Sequence, residues 1–424
     1  MKHWIAILFL LTCHLSLAGS DYRKHFTRDA LRIDLLLAGD AEEEVIYLRR
    51  MKKEPYWSGP KSQLVKPFGY GHHQVRVTDT TGEQILYSRG FSTLFGEWQT
   101  TAESSRESRA FQHTIRIPFP RHPVVVQVKQ RGADEPVLWE YRIQPQNYFI
   151  LNEQPAPAEV VQLDSAGNPS RSVDLAFVAE GYRKQEMDKF IEDVRKMSDH
   201  IMSQSPFDRY RDRFNIYAVQ AVSLESGTDV PGEHIYKNTA LNTSYYTFDV
   251  PRYLTTFNTH TIRDYAANTP YDHIFLLINT DRYGGGGIYN HYSASTTGHM
   301  LSQKVAIHEF GHGFAGLGDE YYNSGVAYND FYNLEEEPWE PNLTTLVDFE
   351  SKWQDMVDED TPVPTPREPQ YSGKVGVFEG GGYVSKGVYS PVMNCRMKSN
   401  QAEGFCPVCQ RAIERMILYY LDEL

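Results

Sequence analysis

The chain has 424 residues, more than one ordinary hydrophobic core encloses, so two domains are expected. Its 41% hydrophobic and 13% aromatic content excludes a disordered chain. A formal net charge of −13, without a dense run of lysine or arginine, excludes the usual footprint of a nucleic-acid or anionic-membrane partner.

The first residues, MKHWIAILFLLTCHLSLAGS, set Lys2 before an apolar run from Trp4 to Leu11, with small residues at Ser16 and Ala18. This predicts a signal peptide over residues 1–18, since the run is too short to span a bilayer. An exported protein is expected, periplasmic, cell-surface or secreted. A second reading acylates Cys13, although Thr12 is bulkier than the residue that usually precedes a lipid-bearing cysteine. No later stretch reaches the ~18 to 20 apolar residues of a membrane helix.

Residues 21–148 read as a β-sandwich. LRIDLLLAGD (31–40), VIYLRRM (45–51), QVRVTD (74–79), FQHTIRIPFP (111–120), VVVQVK (124–129) and LWEYRI (138–143) suit short strands without intervening helices. This half offers no catalytic constellation, and His72-His73 reads as an ordinary surface pair. Residues 149–170, with prolines and polar turn formers, read as a linker.

From 171 to 424 the pattern changes. VDLAFVAEGY (173–182), FNIYAVQAV (214–222) and HIFLLINT (273–280) suit buried strands. Helices are predicted over 184–203, where Met187, Phe190, Ile191, Val194, Met197 and Ile201 fall at helical spacing, and around 251–267. Strands alternating with helices indicate an α/β layer, so the whole is a two-domain α+β chain.

A helix starting near Ser302 carries SQKVAIHEFGHGF. Residues four apart share one face, so His308 and His312 can aim their imidazoles at one point, which suits zinc. Glu309 is rotated off that direction and can reach a water on the metal. A catalytic zinc needs a third protein ligand and an open fourth position. Gly316 and Gly318 break the helix, and Asp319, seven residues past His312, lies on a segment free to fold back. In the HExxHxxGxxH arrangement the third ligand comes one residue earlier and a glycine stands where Ala315 is, which leaves Glu320 as an alternative. One of Glu335, Glu336 or Glu337 would serve a ligand further downstream. The expected chemistry is hydrolysis of a peptide bond with one catalytic Zn2+ and Glu309 as general base and acid.

NTDRYGGGGIYNHYS (279–293) follows a strand and precedes the helix with the histidines. A protease commonly pairs an extended peptide to a sheet edge. Gly284, Gly285, Gly286 and Gly287 would let a substrate backbone approach, the plain alternative being a surface loop.

Cys395, Cys406 and Cys409 lie close together near the C-terminus. One disulfide plus one spare thiol is the expected arithmetic, as a local staple. No βαβ pattern makes Cys406-Pro407-Val408-Cys409 a redox motif, and no second CxxC completes a zinc set.

With HEFGHGFAGLGDEY (308–321), RYGGGG (282–287), EPNLTT (340–345), NCRM (394–397) and FCPVCQ (405–410) in view, the chain resembles the M64 family of zinc peptidases, also called the IgA peptidase family, within the metzincin-like group. The resemblance spans about residue 170 to the end, and the strand-rich half resembles the domain often found ahead of this peptidase domain. It implies a zincin catalytic domain with zinc on His308, His312 and Asp319 and catalysis by Glu309. It also implies a Met-turn beneath the metal, for which Met397 is the match and Met393 the second choice. The expected partner is a protein or peptide substrate outside the cytoplasm. A different class of function, a cell-surface glycan- or protein-binding module with a structural zinc, would have no use for a base at Glu309.

Overall fold

The computed structural model describes residues 22–65, 68–132, 135–322 and 332–424, among which are sixteen strands, six α-helices and eight short 3-10 helices. The leader at 1–18 and Cys13 lie outside the described residues.

The first part runs α1 (Tyr22–His25), β1 (Phe26–Gly39), β2 (Glu44–Glu54), β3 (His73–Thr78), β4 (Ile85–Phe91), α2 (Leu94–Gln99), β5 (Arg109–Pro120), β6 (Val124–Gln130), β7 (Val137–Ile143) and β8 (Ile150–Leu151). Two four-stranded sheets result, in the orders β5-β1-β2-β8 and β4-β3-β6-β7. Alternation explains their facing. Along β1, Ile33, Leu35 and Leu37 join the apolar core, while Arg32 and Asp34 project from the other face and are equally buried. That second face is covered by the rest of the chain, as described below.

β4 escaped the sequence reading because ILYSRGF does not alternate. Only its first residue, Ile85, is partly exposed, since both faces are covered. Arg89 crosses to the C-terminus, donating to Tyr420 Oη at 3.0 Å and lying 4.4 Å from the ring centre of Tyr419. α2, likewise unforeseen, is capped by Thr93, whose Oγ1 accepts from Gly96 N at 2.9 Å, and is anchored by the fully buried Phe95 and Trp98.

The second part runs β9 (Glu159–Asp164), β10 (Val173–Glu180), α3 (Met187–Met202), β11 (Phe214–Gln220), α4 (Thr259–Ala266), β12 (His273–Ile278), β13 (Gly285–Ile288), β14 (Tyr292–Thr296), α5 (Ser302–Ala315), β15 (Phe378–Gly381), β16 (Val384–Ser390) and α6 (Pro407–Tyr420). A six-stranded sheet has the order β13-β14-β12-β10-β11-β9. β10, β11, β12 and β14 are parallel, and the two edge strands run antiparallel to their neighbours. β10 and β12 are buried at every position, as parallel strands covered on both faces must be.

What covers those faces differs. Phe177 and Phe275 pack with α3, α5 and α6. Ala176, Val178, Ile274 and Leu276 belong instead to the same apolar cluster as Leu31, Val77, Phe111 and Ile143 of the first part. Around this shared core, Arg32 pairs with Asp264 of α4 at 2.7 Å and donates to His260 O at 2.8 Å.

The stretch 149–170 is more than a connector. β8 pairs with β2, and β9 forms the outer strand beside β11. An edge strand needs pairing on one side only, so EVVQLD works with none of its residues buried. The helix expected over 251–267 is confined to α4, because residues 252–255 pair alongside β13 and Ser244. The reading of His72-His73 as a surface pair holds for His72, which is exposed, and needs correction for His73. His73 is 3% exposed and its Nε2 lies 2.9 Å from Glu44, while His72 accepts from Trp339 Nε1 at 3.1 Å. No helix among the described residues is long and apolar enough to cross a membrane.

Candidate metal centre and active site

α5 is held by its apolar face. Val305, Ala306, Ile307, Phe310 and Phe314 are buried, and His308, Glu309 and His312 lie on the opposite, half-open side. The helix stops at Gly316, whose φ of 68° is left-handed and natural for glycine. Gly316 N donates to His312 O at 3.0 Å and Leu317 N to Gly311 O at 3.1 Å, and the chain then returns beneath the histidines.

That return sets three donor atoms in a triangle. His308 Nε2 and His312 Nε2 are 3.0 Å apart, and Asp319 Oδ1 lies 3.1 Å from the first and 3.4 Å from the second. Nitrogen and oxygen donors at about 2.0–2.1 Å from a four-coordinate ion sit roughly 3.3 Å from one another. The other atoms of these side chains are engaged. His308 Nδ1 donates to Arg396 O at 3.0 Å, His312 Nδ1 donates to Leu317 O at 2.5 Å, and Asp319 Oδ2 accepts from Tyr383 Oη. These contacts fix the tautomers that leave both Nε2 atoms free for a metal. Asp319 Oδ1 is buried and accepts no hydrogen bond, so the residues present fit a cation at this point.

The electrostatics agree. Burial alone would lower the pKa of His312, yet Asp319 and Glu309 outweigh it and raise it to about 9. Burial likewise works to raise Asp319, but the two imidazoles hold its carboxyl well below the usual range. The cluster therefore favours positive charge where the three donors converge. Glu309 has a carboxylate oxygen within 4.8 Å of a ring nitrogen of each histidine. Burial raises its pKa although both imidazoles pull it down.

The triangle opens into a cleft of about 440 Å3. Its walls come from both parts of the chain, and most of these residues were missed in the sequence. Glu97, on α2, is pushed up to about 7 by burial and accepts from Tyr253 Oη. Glu340 accepts from Tyr332 Oη at 2.9 Å. Tyr383 follows three glycines and has a φ of 65°, and that turn clamps the returning segment, Gly382 N donating to Asp319 O at 2.7 Å. EGGGYV was the available signal for it.

The glycine run has a packing role. A Cβ on Gly285 would stand 2.7 Å from Val305 Cγ1 and 2.9 Å from Glu309 Cγ, and one on Gly287 would stand 3.0 Å from His312 Cβ. One on Gly284 would meet the ring of Tyr245, and one on Gly286 that of Tyr253. These glycines let α5 and its neighbours pack closely against β13. At Gly285 the outer rim is already bonded, Leu254 N donating to Gly285 O at 3.1 Å, so the open edge begins after it.

Met397 is fully buried, and its Sδ would be 2.9 Å from a Cβ on Gly311, one residue before His312. Met393 is half-buried. Glu320 turns away from the histidines, accepting from Asn342 Nδ2 at 3.0 Å. Glu335 and Glu336 are exposed, and Glu337 accepts from Asp348 N at 3.0 Å. The expected disulfide is not formed. All three thiols are free, and Cys395 Sγ lies 3.8 Å from Cys409 Sγ against a bond length of about 2.05 Å.

A family model described as IgA Peptidase M64 matches residues 161–370 and 367–417, and another described as Peptidase M64 N-terminus matches residues 21–141. No curated protein matches the chain. The first match alone covers more than half of the chain, which sets aside the alternative of a binding module without catalysis. Together with a cation-ready cluster at the floor of a cleft, it establishes that the chain belongs to the M64 peptidase family and is a metallopeptidase, a hydrolase of protein substrates.

Proposed function

We propose that the chain is an exported zinc-dependent endopeptidase acting on extracellular or periplasmic proteins, with His308, His312 and Asp319 holding one zinc ion and Glu309 as general base. The observation that carries this reading is the convergence of two Nε2 atoms and the orphaned Asp319 Oδ1 on one side of an open cleft. Three protein ligands with a free position is the donor arrangement of a catalytic zinc, and two imidazoles with a carboxylate suit that ion. When bound, zinc supplies Lewis acidity to water and to the scissile carbonyl.

The remaining work falls to the chain. Glu309 takes a proton from the attacking water and returns it to the leaving amine, and its raised pKa brings it closer to the pH at which such a group works well. Tyr383 and the carbonyls of Arg396 and Leu317 keep the ligands oriented. Met397 serves as the Met-turn floor in a metzincin-like arrangement. The substrate backbone lies along β13 beyond Gly285, near Gly286 and Gly287, which line the cleft. The domain assigned to 21–148 is a β-sandwich whose two sheets are completed by β8 from the joining stretch 149–170, and 171–424 is the catalytic domain, to which the same stretch lends β9. The pattern of residues 1–18 supports export.

Cleavage of a mixed protein substrate, with and without chelator, tests the reading against Glu309→Ala. Undiminished cutting by that variant removes Glu309 from catalysis. Undiminished zinc in Asp319→Ala moves the third ligand elsewhere.

A further inference from the structure

The three cysteines and Glu320 form a second cluster that the peptidase chemistry does not use. Cys395, Cys406, Cys409 and Glu320 each bring one donor atom to a place where all four lie within 4.8 Å of one another, and all four residues are buried. Cys395 Sγ and Cys409 Sγ are 3.8 Å apart, and Cys409 Sγ is 3.2 Å from Glu320 Oε1. Sulfur donors at about 2.3 Å from a tetrahedral ion stand about 3.8 Å from one another, and a sulfur and an oxygen donor about 3.6 Å. The second carboxylate oxygen, Glu320 Oε2, is buried and accepts no hydrogen bond.

We propose that Cys395, Cys406, Cys409 and Glu320 constitute a second, structural metal site that takes a thiophilic divalent ion of the zinc class. The surroundings suit thiolates. Cys406 N donates to Cys395 Sγ at 3.3 Å, and Cys409 N donates to Cys406 Sγ at 3.5 Å. Cys406 caps the N-terminus of the fourteen-residue α6, where the helix dipole favours negative sulfur. Lys398 Nζ donates to Glu320 O at 3.1 Å and adds positive charge beside the cluster. Four protein donors and full burial describe a closed site, without room for substrate or reacting water. The ion would tie three segments together: the return after α5, the turn carrying Met397, and the start of α6. Glu320 N already donates to Met397 O at 2.9 Å across two of them.

The test uses the full chain. Metal analysis of wild type is expected to give about two equivalents per chain, one for each cluster. Co2+-loaded wild type is expected to show a sulfur-to-metal charge-transfer absorption, which the sulfur-free histidine cluster cannot produce. His308→Ala/His312→Ala, checked by circular dichroism, is expected to lose one equivalent and keep that absorption, so failure of the catalytic site is read separately. Cys406→Ser is expected to abolish the absorption and retain one equivalent. A Co2+ spectrum of wild type without the sulfur band, or a disulfide among the three cysteines in unreduced peptide maps, overturns the proposal.

Discussion

Asp319 and Glu320 are neighbours in the chain, yet they belong to two clusters of opposite design. The histidine cluster has three donors, is half-open and sits at the floor of a cleft. The cysteine cluster has four donors and is closed on all sides. The difference is that between an ion that must meet substrate and one that would only hold the chain. It also shows that adjacent residues with different partners, Asp319 with the histidines and Glu320 with Asn342 and Cys409, can serve both.

The largest effect should come from the open cluster. Glu309→Gln is expected to lower peptide hydrolysis by roughly 10²–10⁴-fold while leaving metal content unchanged, read from progress curves alongside metal analysis. Activity within a few-fold of wild type would put the base elsewhere. Asp319→Asn should weaken metal binding by more than the roughly 10–100-fold typical of a lost outer partner, measured by competition with a chelator. Tyr383→Phe removes such an outer partner and should cost about 10–100-fold in metal affinity or activity with the thermal midpoint preserved. If that variant melts early instead, Tyr383 serves folding more than the ligand.

Smaller effects sharpen the contrast from the packing side. Gly287→Ala forces a Cβ against Glu309 O and His312 Cβ, and overpacking of this kind should destabilise by about 1–3 kcal/mol in thermal or denaturant melts. A pH-dependent effect concerns Glu97 in chelator-treated protein. Burial raises its pKa from 4.5 to about 7, so the folded state keeps a proton that the unfolded chain releases. That contribution is present in full below pH 4.5 and is lost as the pH rises through about 7. Glu97→Gln should therefore flatten the fall in stability over this window, and an unchanged slope would show that Glu97 does not titrate there.

The open cluster was largely legible because its parts are local. His308, Glu309 and His312 lie within five residues of one helix, and the glycines at 316 and 318 announce the return to Asp319. The closed cluster was not, since a single position separates Asp319 from Glu320 and no spacing rule says that the latter meets cysteines some ninety residues on. Glu97 and Tyr383 reach the cleft from remote segments, and no periodicity carries such long-range pairing. Alternation revealed six strands of the first part, and continuous apolar runs revealed β10, β11 and β12. β4 could not, because a strand buried on both sides by polar as well as apolar partners does not alternate, and β9 was hidden among prolines.

One apolar cluster runs from Leu31 and Ile143 to Ile274 and Leu276, so the first part of the chain forms the back wall of the sheet that supports the histidines. An enzyme built this way resists trimming. A fragment beginning near residue 171 would leave a sheet face of Ala176, Val178, Ile274 and Leu276 bare to water and would lack Glu97 in its cleft. The N-terminal half is thus less an accessory than a wall of the catalytic sheet, and removing it should inactivate the peptidase rather than liberate it.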